Sequence, residues 1–147
     1  MIGRPTKVGP ELRQTHLFAE QQGVVLCESD PLAKLKAIPI KMLAEKRLLL
    51  LRNNLHFGQL LLEHALQHEV RLVPIHSAED FPSLHWMVRA GLGIAPCSLL
   101  LNDSLPMKLT AKPIRPAPAR LEINAVWRGT SAGPTAEKLL QLIGDSF

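Results

Sequence analysis

Seventeen Lys and Arg against thirteen Asp and Glu give this 147-residue chain a net charge of +4 and a pI near 9.4. With 46% hydrophobic and 20% charged residues it can bury a core as a globular domain, which excludes a disordered chain. The basic residues are scattered among apolar and acidic neighbours, and four Phe, two Trp and no Tyr leave little for base stacking, so direct nucleic-acid binding is disfavoured.

Cys27 and Cys97 lie far apart in apolar surroundings, which suits free buried thiols in a reducing compartment better than a disulfide. Met1-Ile2-Gly3-Arg4-Pro5 has no apolar core of a signal peptide, and Leu48 to Leu51, flanked by Arg47 and Arg52, is too short to span a membrane. A cytoplasmic chain without membrane contact is expected.

In chain order, residues 1–22 open on a short apolar piece and run through a polar, proline-containing stretch to Leu17-Phe18. Gly23 to Cys27 reads as a strand ended by Ser29-Asp30-Pro31. Ile38 to Ala44 predicts an extended piece and a helical turn, and Leu48 to Leu51 a buried strand bounded by charge. Leu55, Leu61, Leu62, Ala65 and Leu66 mix spacings of three and four, predicting an amphipathic helix to Gln67 capped by Asn53 or Asn54.

Val70 to Ile75 is the next predicted strand, and Ser77 to Ala90 the next helix, with Ser77 as cap and Glu79 and Asp80 at its positive end. Gly91 and Gly93 stop that helix and turn the chain into Ile94-Ala95-Pro96. Strand, helix, strand, helix, strand over residues 47–96 implies right-handed parallel βαβ units, a doubly wound lobe. Met107 to Ile114 suggests an extended run, and Pro113, Pro116 and Pro118 an edge crossing. Leu121 to Trp127 alternates as a strand, and Pro134 to Phe147 closes the chain as a helix with Leu139, Leu140, Leu142 and Ile143 on one side.

The stretch Met87-Val88-Arg89-Ala90-Gly91-Leu92-Gly93-Ile94-Ala95-Pro96 closely resembles a signature of the effector-binding domain of LysR-type transcriptional regulators. Asp30-Pro31-Leu32-Ala33 resembles the family's His-Pro-Leu-Ala element, with Asp30 in place of the common histidine. Ile40 to Ala44 resembles the short helix that follows, Arg120 to Arg128 the return strand, and Ile2 to Pro5 the end of the strand before the hinge.

The resemblance implies an α/β fold like the type 2 periplasmic binding proteins: a lobe with a parallel-rich sheet flanked by helices, plus hinge strands and the remnant of a second lobe. It places residues 1–27 in the hinge and lobe-one remnant, 28–118 in lobe two, and 119–147 in the return strand and closing helix of lobe one. The family's winged helix-turn-helix, linker helix and first half of lobe one have no counterpart in residues 1–147, so no direct DNA binding is expected of them.

Ligand groups in such a lobe come from loops where strands end and helices begin, because free N–H groups and the helix dipole favour anions there. Two such places are Arg52-Asn53-Asn54 and Ile75-His76-Ser77, and the resemblance also puts cleft-lining residues near Ile94 to Pro96, so Ile94 and Pro96 complete the candidate set. Asn53 and Ser77 would serve as caps with or without a ligand, and Arg52 could be a solvated strand-end charge.

His64 and His68 sit four apart on a helix, but Glu63-His64-Ala65-Leu66-Gln67-His68 matches neither His-Glu-x-x-His nor its inverse, so a solvated face is expected rather than a metal site. Gly-Leu-Gly lacks the third glycine and the strand-before-helix order of a dinucleotide loop. No catalytic residue, metal or cofactor is assigned.

The expected function is sensing of a small organic anion, an aromatic or dicarboxylic acid, by the regulatory domain of a LysR-type regulator. Self-association is also expected, through the apolar face of the closing helix. The alternatives are a solute-binding protein or enzyme of the same two-lobed fold, or a ligand-free dimerisation fragment.

Overall fold

The computed structural model describes residues 2–3, 9–44, 46–52, 55–129 and 133–144. The chain divides into two compact units, Met1–Glu20 with Arg120–Phe147, and Gln21–Ala119.

In the first unit, strands β1 (Ile2–Gly3) and β2 (Leu12–Glu20) flank β9 (Leu121–Arg128), both antiparallel to it. Strand β2 is absent from the sequence reading. Its residues are mostly polar and Arg13 to His16 are exposed, so only pairing with β9 makes this segment a strand. Leu121, Ala125 and Val126 are buried on the central strand. Helix α3 (Pro134–Gly144) packs on β2 and leaves Leu139 and Leu142 more than half exposed.

The second unit holds two sheet segments. One has the order β4 (Ile38–Pro39), β8 (Leu109–Arg115), β3 (Gln22–Cys27), β7 (Ala95–Ser98); the other pairs β5 (Leu48–Leu51) with β6 (Pro74–Ala78). Strands β5 and β6 are parallel, and a parallel bridge between Leu48 and Ile94 ties β5 to the start of β7. The expected parallel βαβ order is therefore present, with α1 (Leu55–Gln67) and α2 (Phe81–Arg89) as the two connecting helices. Strand β3 runs antiparallel to both β7 and β8, a pairing that no local pattern announces.

Alternation along the strands builds two cores. Val24 and Leu26 of β3, Leu48 and Ile94 join Leu61 and Ala65 of α1, while Val25, Leu49 and Ala95 join Leu84 and Val88 of α2. Each helix thus covers one face of the sheet.

Two predicted boundaries move. The strand expected at Val70 to Ile75 lies at Pro74–Ala78, because pairing with β5 selects Ser77 and Ala78 opposite Leu50 and Leu51, while Val70 and Leu72 are buried outside any strand. The helix expected from Ser77 starts at Phe81, since Ser77 is still strand. Its cap is Asp80, whose Oδ1 accepts a 2.8 Å hydrogen bond from the Ser83 N–H, with Pro82 in the first turn. The expected caps Asn53 and Asn54 lie outside the described residues. Leu99–Ser104 forms 3-10 turns between β7 and β8.

The Asp80 cap predicts an acid response. Its hydrogen bonds from Ser83 hold the carboxyl below its ordinary value of 3.8. A carboxylate with a depressed folded-state pKa contributes stability above the unfolded value and loses it as pH falls through the folded one. Below about pH 4, therefore, acid titration followed by helical circular dichroism is expected to show an α2-linked loss that Asp80→Asn removes.

Among the described residues no helix is long and apolar enough to cross a membrane.

Candidate functional site

Because β5, β6 and β7 run in one direction, their C-terminal ends lie along one edge of the second unit. At this edge the chain leaves β5 at Arg52, whose N–H donates to the Ala78 carbonyl at 2.8 Å. The Arg52 guanidinium then reaches Glu79, with Nη1 2.6 Å from Oε1, and both side chains are more than 60% exposed. Ser77 is exposed beside them on β6. Strand direction and one backbone hydrogen bond thus assemble a polar ledge of Arg52, Ser77 and Glu79. From sequence Glu79 is only a dipole partner for the helix, since nothing local says that β6 ends level with β5.

The other expected site residues are distributed differently. Ile75 is 41% exposed near the start of β6, and His76 pairs with Leu49 inside the strand, its side chain outside what the structure describes. Asn53 and Asn54 are not among the described residues. Ile94 is 2% exposed within the core beneath α1, and Pro96 pairs with Val24 in the middle of β7. Since Ile94 bridges to Leu48, it lies about 13 Å along β5 from Arg52, at the opposite edge of the sheet. Of the eight candidates, Arg52 and Ser77 are brought together on the ledge.

Gln22 was not singled out in the sequence. It begins β3 opposite Ser98, the last residue of β7, and therefore stands at the ledge's end of the sheet. Gln22 and Ser98 are both buried.

Cavities bordered by described residues also lie elsewhere on the second unit. One of about 280 Å³ is lined by Cys27, Asp30, Lys46, Arg47, Leu92 and Ile94. A second, of about 310 Å³, runs along α2 between Phe81, His85, Trp86, Arg89 and Pro106, with Arg89 5.0 Å from the Trp86 ring centre. Lys41, His68, Glu69 and Arg115 border a third of about 490 Å³.

The solvated histidine face expected on α1 is corrected for His64. That ring is buried and its Nε2 donates to the Pro116 carbonyl at 2.8 Å, with the His68 ring 4.7 Å away edge-on. The bond satisfies one nitrogen of the buried ring and fixes its orientation. Among the described residues no three His, Cys, Asp or Glu side chains gather as metal ligands.

Both cysteines are free thiols, with unequal surroundings. The Ser29 hydroxyl, 3.1 Å from the Cys27 Sγ, and the Ser29 N–H hold the Cys27 thiol below its ordinary range, whereas burial pushes Cys97, packed against the α2 core, up to about 12. Iodoacetamide at pH 7.5 is accordingly expected to alkylate Cys27 in the folded chain and Cys97 only on unfolding. Equal rates by mass spectrometry would contradict this.

The family model described as the LysR substrate binding domain matches residues 1–147. The chain belongs to this LysR substrate-binding family. No curated protein matches it. Solved structures with the same fold include the BenM effector binding domain with its effector benzoate, at 19% identity and a TM-score of 0.82 over 99% of this chain and 67% of that one. The reduced form of the OxyR regulatory domain from Pseudomonas aeruginosa matches at 23% identity and a TM-score of 0.77, over 97% of this chain and 70% of that one. The Synechocystis PCC6803 CcmR regulatory domain in complex with 2-PG matches at 16% and 0.78, over 99% and 71%. The LysR-family chain spans 48% of full-length BenM. The mixed α/β architecture is that of the periplasmic-binding-like effector domains.

Proposed function

We propose that this chain is the ligand-sensing part of a LysR-type transcriptional regulator, and that it binds a small organic anion at the ledge where β5 and β6 end. The observation that carries the reading is the Arg52–Glu79 pair at the C-terminal edge of parallel strands, within a chain of this family. That edge is where open α/β sheets take ligands. Arg52 offers a planar fork of donors to a carboxylate, and Glu79 holds that fork until an anion competes for it. Benzoate is the effector of the BenM domain and an aromatic or dicarboxylic acid is the reading for this chain.

In this reading residues 28–118 are lobe two, residues 1–27 the hinge and lobe-one remnant, and residues 119–147 the return strand and closing helix of lobe one. Asn53, Asn54, His76, Ser77 and Pro96 are the further residues assigned to the effector's surroundings, whereas Ile75 and Ile94 lie at the far edge of the sheet, Ile94 within the core. The chain is a cytoplasmic binding module rather than an enzyme, needs no cofactor, and self-associates through α3, where Leu139 and Leu142 are exposed.

Titration calorimetry and thermal melts with benzoate and with succinate test the reading. Binding by the parent chain, weakened about five- to tenfold by Arg52→Ala and strengthened by Glu79→Gln, is expected. A chain that takes neither acid at millimolar concentration, or takes both equally well as Arg52→Ala, refutes it.

A further inference from the structure

Strand β3 begins with a side chain that its surroundings leave unsatisfied. Gln22 is 1% exposed, and both its Nε2 and its Oε1 are buried without a hydrogen-bond partner. Among the described residues Asn124 and Trp127 also carry such an atom, one each, in the other unit, and the Asn124 amide nitrogen does reach Gln14. Of the described residues, Gln22 alone has a donor and an acceptor idle together. A buried carboxamide in that state costs stability that a Met or Leu of similar size would not, so the amide at this position calls for a reason other than packing.

Its place in the fold supplies the reason. On β3 the side chains of Val24 and Leu26 enter the core under α1, and strand alternation puts Gln22 in the same row, one step nearer the strand's start. Ser98 stands opposite it, level with Arg52 by the bridge that aligns β7 with β5. Helix α1 follows β5 and so begins at this same edge of the sheet. The Ser98 hydroxyl accepts from Leu100 N–H at 3.3 Å and makes no bond to Gln22. An idle amide therefore sits at the edge where β5 and β7 end.

We infer that Gln22 is the neutral hydrogen-bonding contact of the effector, and that the effector is an organic acid carrying a hydroxyl as a second polar group. The inference rests on the ligand-sensing reading above. A carboxamide presents one acceptor and two donor hydrogens, and a hydroxyl both gives and takes, so one such group satisfies both idle atoms of Gln22 while the ligand's carboxylate goes to Arg52. Since Gln22 is 1% exposed, the pairing requires an arrangement in which its surroundings open to admit the hydroxyl. The idle amide disfavours the closed arrangement and its satisfaction favours the open one, which gives the ligand the differential affinity a sensor requires.

The test uses the parent chain, Gln22→Met and Gln22→Leu, with benzoate and 2-, 3- and 4-hydroxybenzoate as probes. Without ligand both variants are expected to melt at least about 2 °C above the parent, because an unsatisfied buried amide has been removed. The parent is expected to bind at least one hydroxybenzoate about tenfold more tightly than benzoate, and the variants to lose that preference while keeping benzoate affinity within about threefold. Variants that melt lower or fail to fold would show that the amide is structural, and an unchanged or absent preference for the hydroxyl would show that it does not read the ligand. Either result overturns the inference while benzoate binding leaves the effector site standing. A parent chain that binds none of the four acids removes the effector site itself and the inference with it.

Discussion

A Gly93→Ala chain is expected to lose about 3 kcal/mol of folding stability, at the upper end of what overpacking costs. A Cβ at Gly93 would stand 2.3 Å from the Arg47 carbonyl oxygen, a distance no pair of these atoms tolerates. The obstacle cannot turn aside like a side chain. The Arg47 carbonyl accepts from Ile94 N–H at 2.9 Å, and the Ile94 carbonyl accepts from Leu49 N–H at 2.8 Å, so the colliding backbone is the splice between β5 and β7. Moving it would part the two sheet segments of the second unit. Gly91, two residues earlier, has a φ of +75° and nothing within 4 Å of an added Cβ, so Gly91→Ala is expected to cost only about 1 kcal/mol, the penalty of the left-handed conformation. Urea titrations of the two variants distinguish these roles, and equal midpoints would refute the assignment. From sequence both glycines share one task, stopping the helix and turning the chain into Ile94, but Gly91 carries the turn and Gly93 admits a neighbouring strand.

Leu49→Ala is the second large effect, a loss of about 2–5 kcal/mol. Leu49 has no exposed surface and packs among Val25, Ala78, Leu84, Val88 and Ala95. Four structural elements converge on it: β3, β6, α2 and β7. Truncation leaves a cavity whose walls belong to paired strands and close poorly. Against a total stability of about 5–15 kcal/mol the loss is large enough to leave part of the chain unfolded at 37 °C. Leu51→Ala, at a half-buried position two residues along the same strand, serves as the comparison and is expected to lose markedly less. Chemical denaturation followed by far-ultraviolet circular dichroism reads both, and a smaller loss for Leu49→Ala than for Leu51→Ala would refute the packing assignment.

These leucines show where sequence reasoning ends. Leu48 to Leu51 is legible as a buried strand, because four apolar residues between charges have few other uses. Which leucine enters which core depends on the helix lying over each face: Leu48 goes under α1 and Leu49 under α2. The candidate site divides in the same way. Arg52 was legible as the charge at a strand's end, whereas its partnership with Glu79 awaited the register that moved β6 to Pro74–Ala78. Val70 and Leu72 drew the strand assignment too early, since burial in an irregular segment looks apolar in the same way as burial in a strand.

By itself the sequence determined the family, the α/β class, helices α1 and α3, and strands β3, β5 and β9, all carried by local periodicity or by motifs within a few residues. Tertiary structure alone decided that polar Leu12–Glu20 is a strand, that His64 is buried against Pro116, that Gly93 must lack a side chain, and that the Gln22 amide stands idle where β7 ends. Each of these depends on a partner distant in the chain, and pairing, burial and steric exclusion between such partners leave no periodic trace in the residues that undergo them.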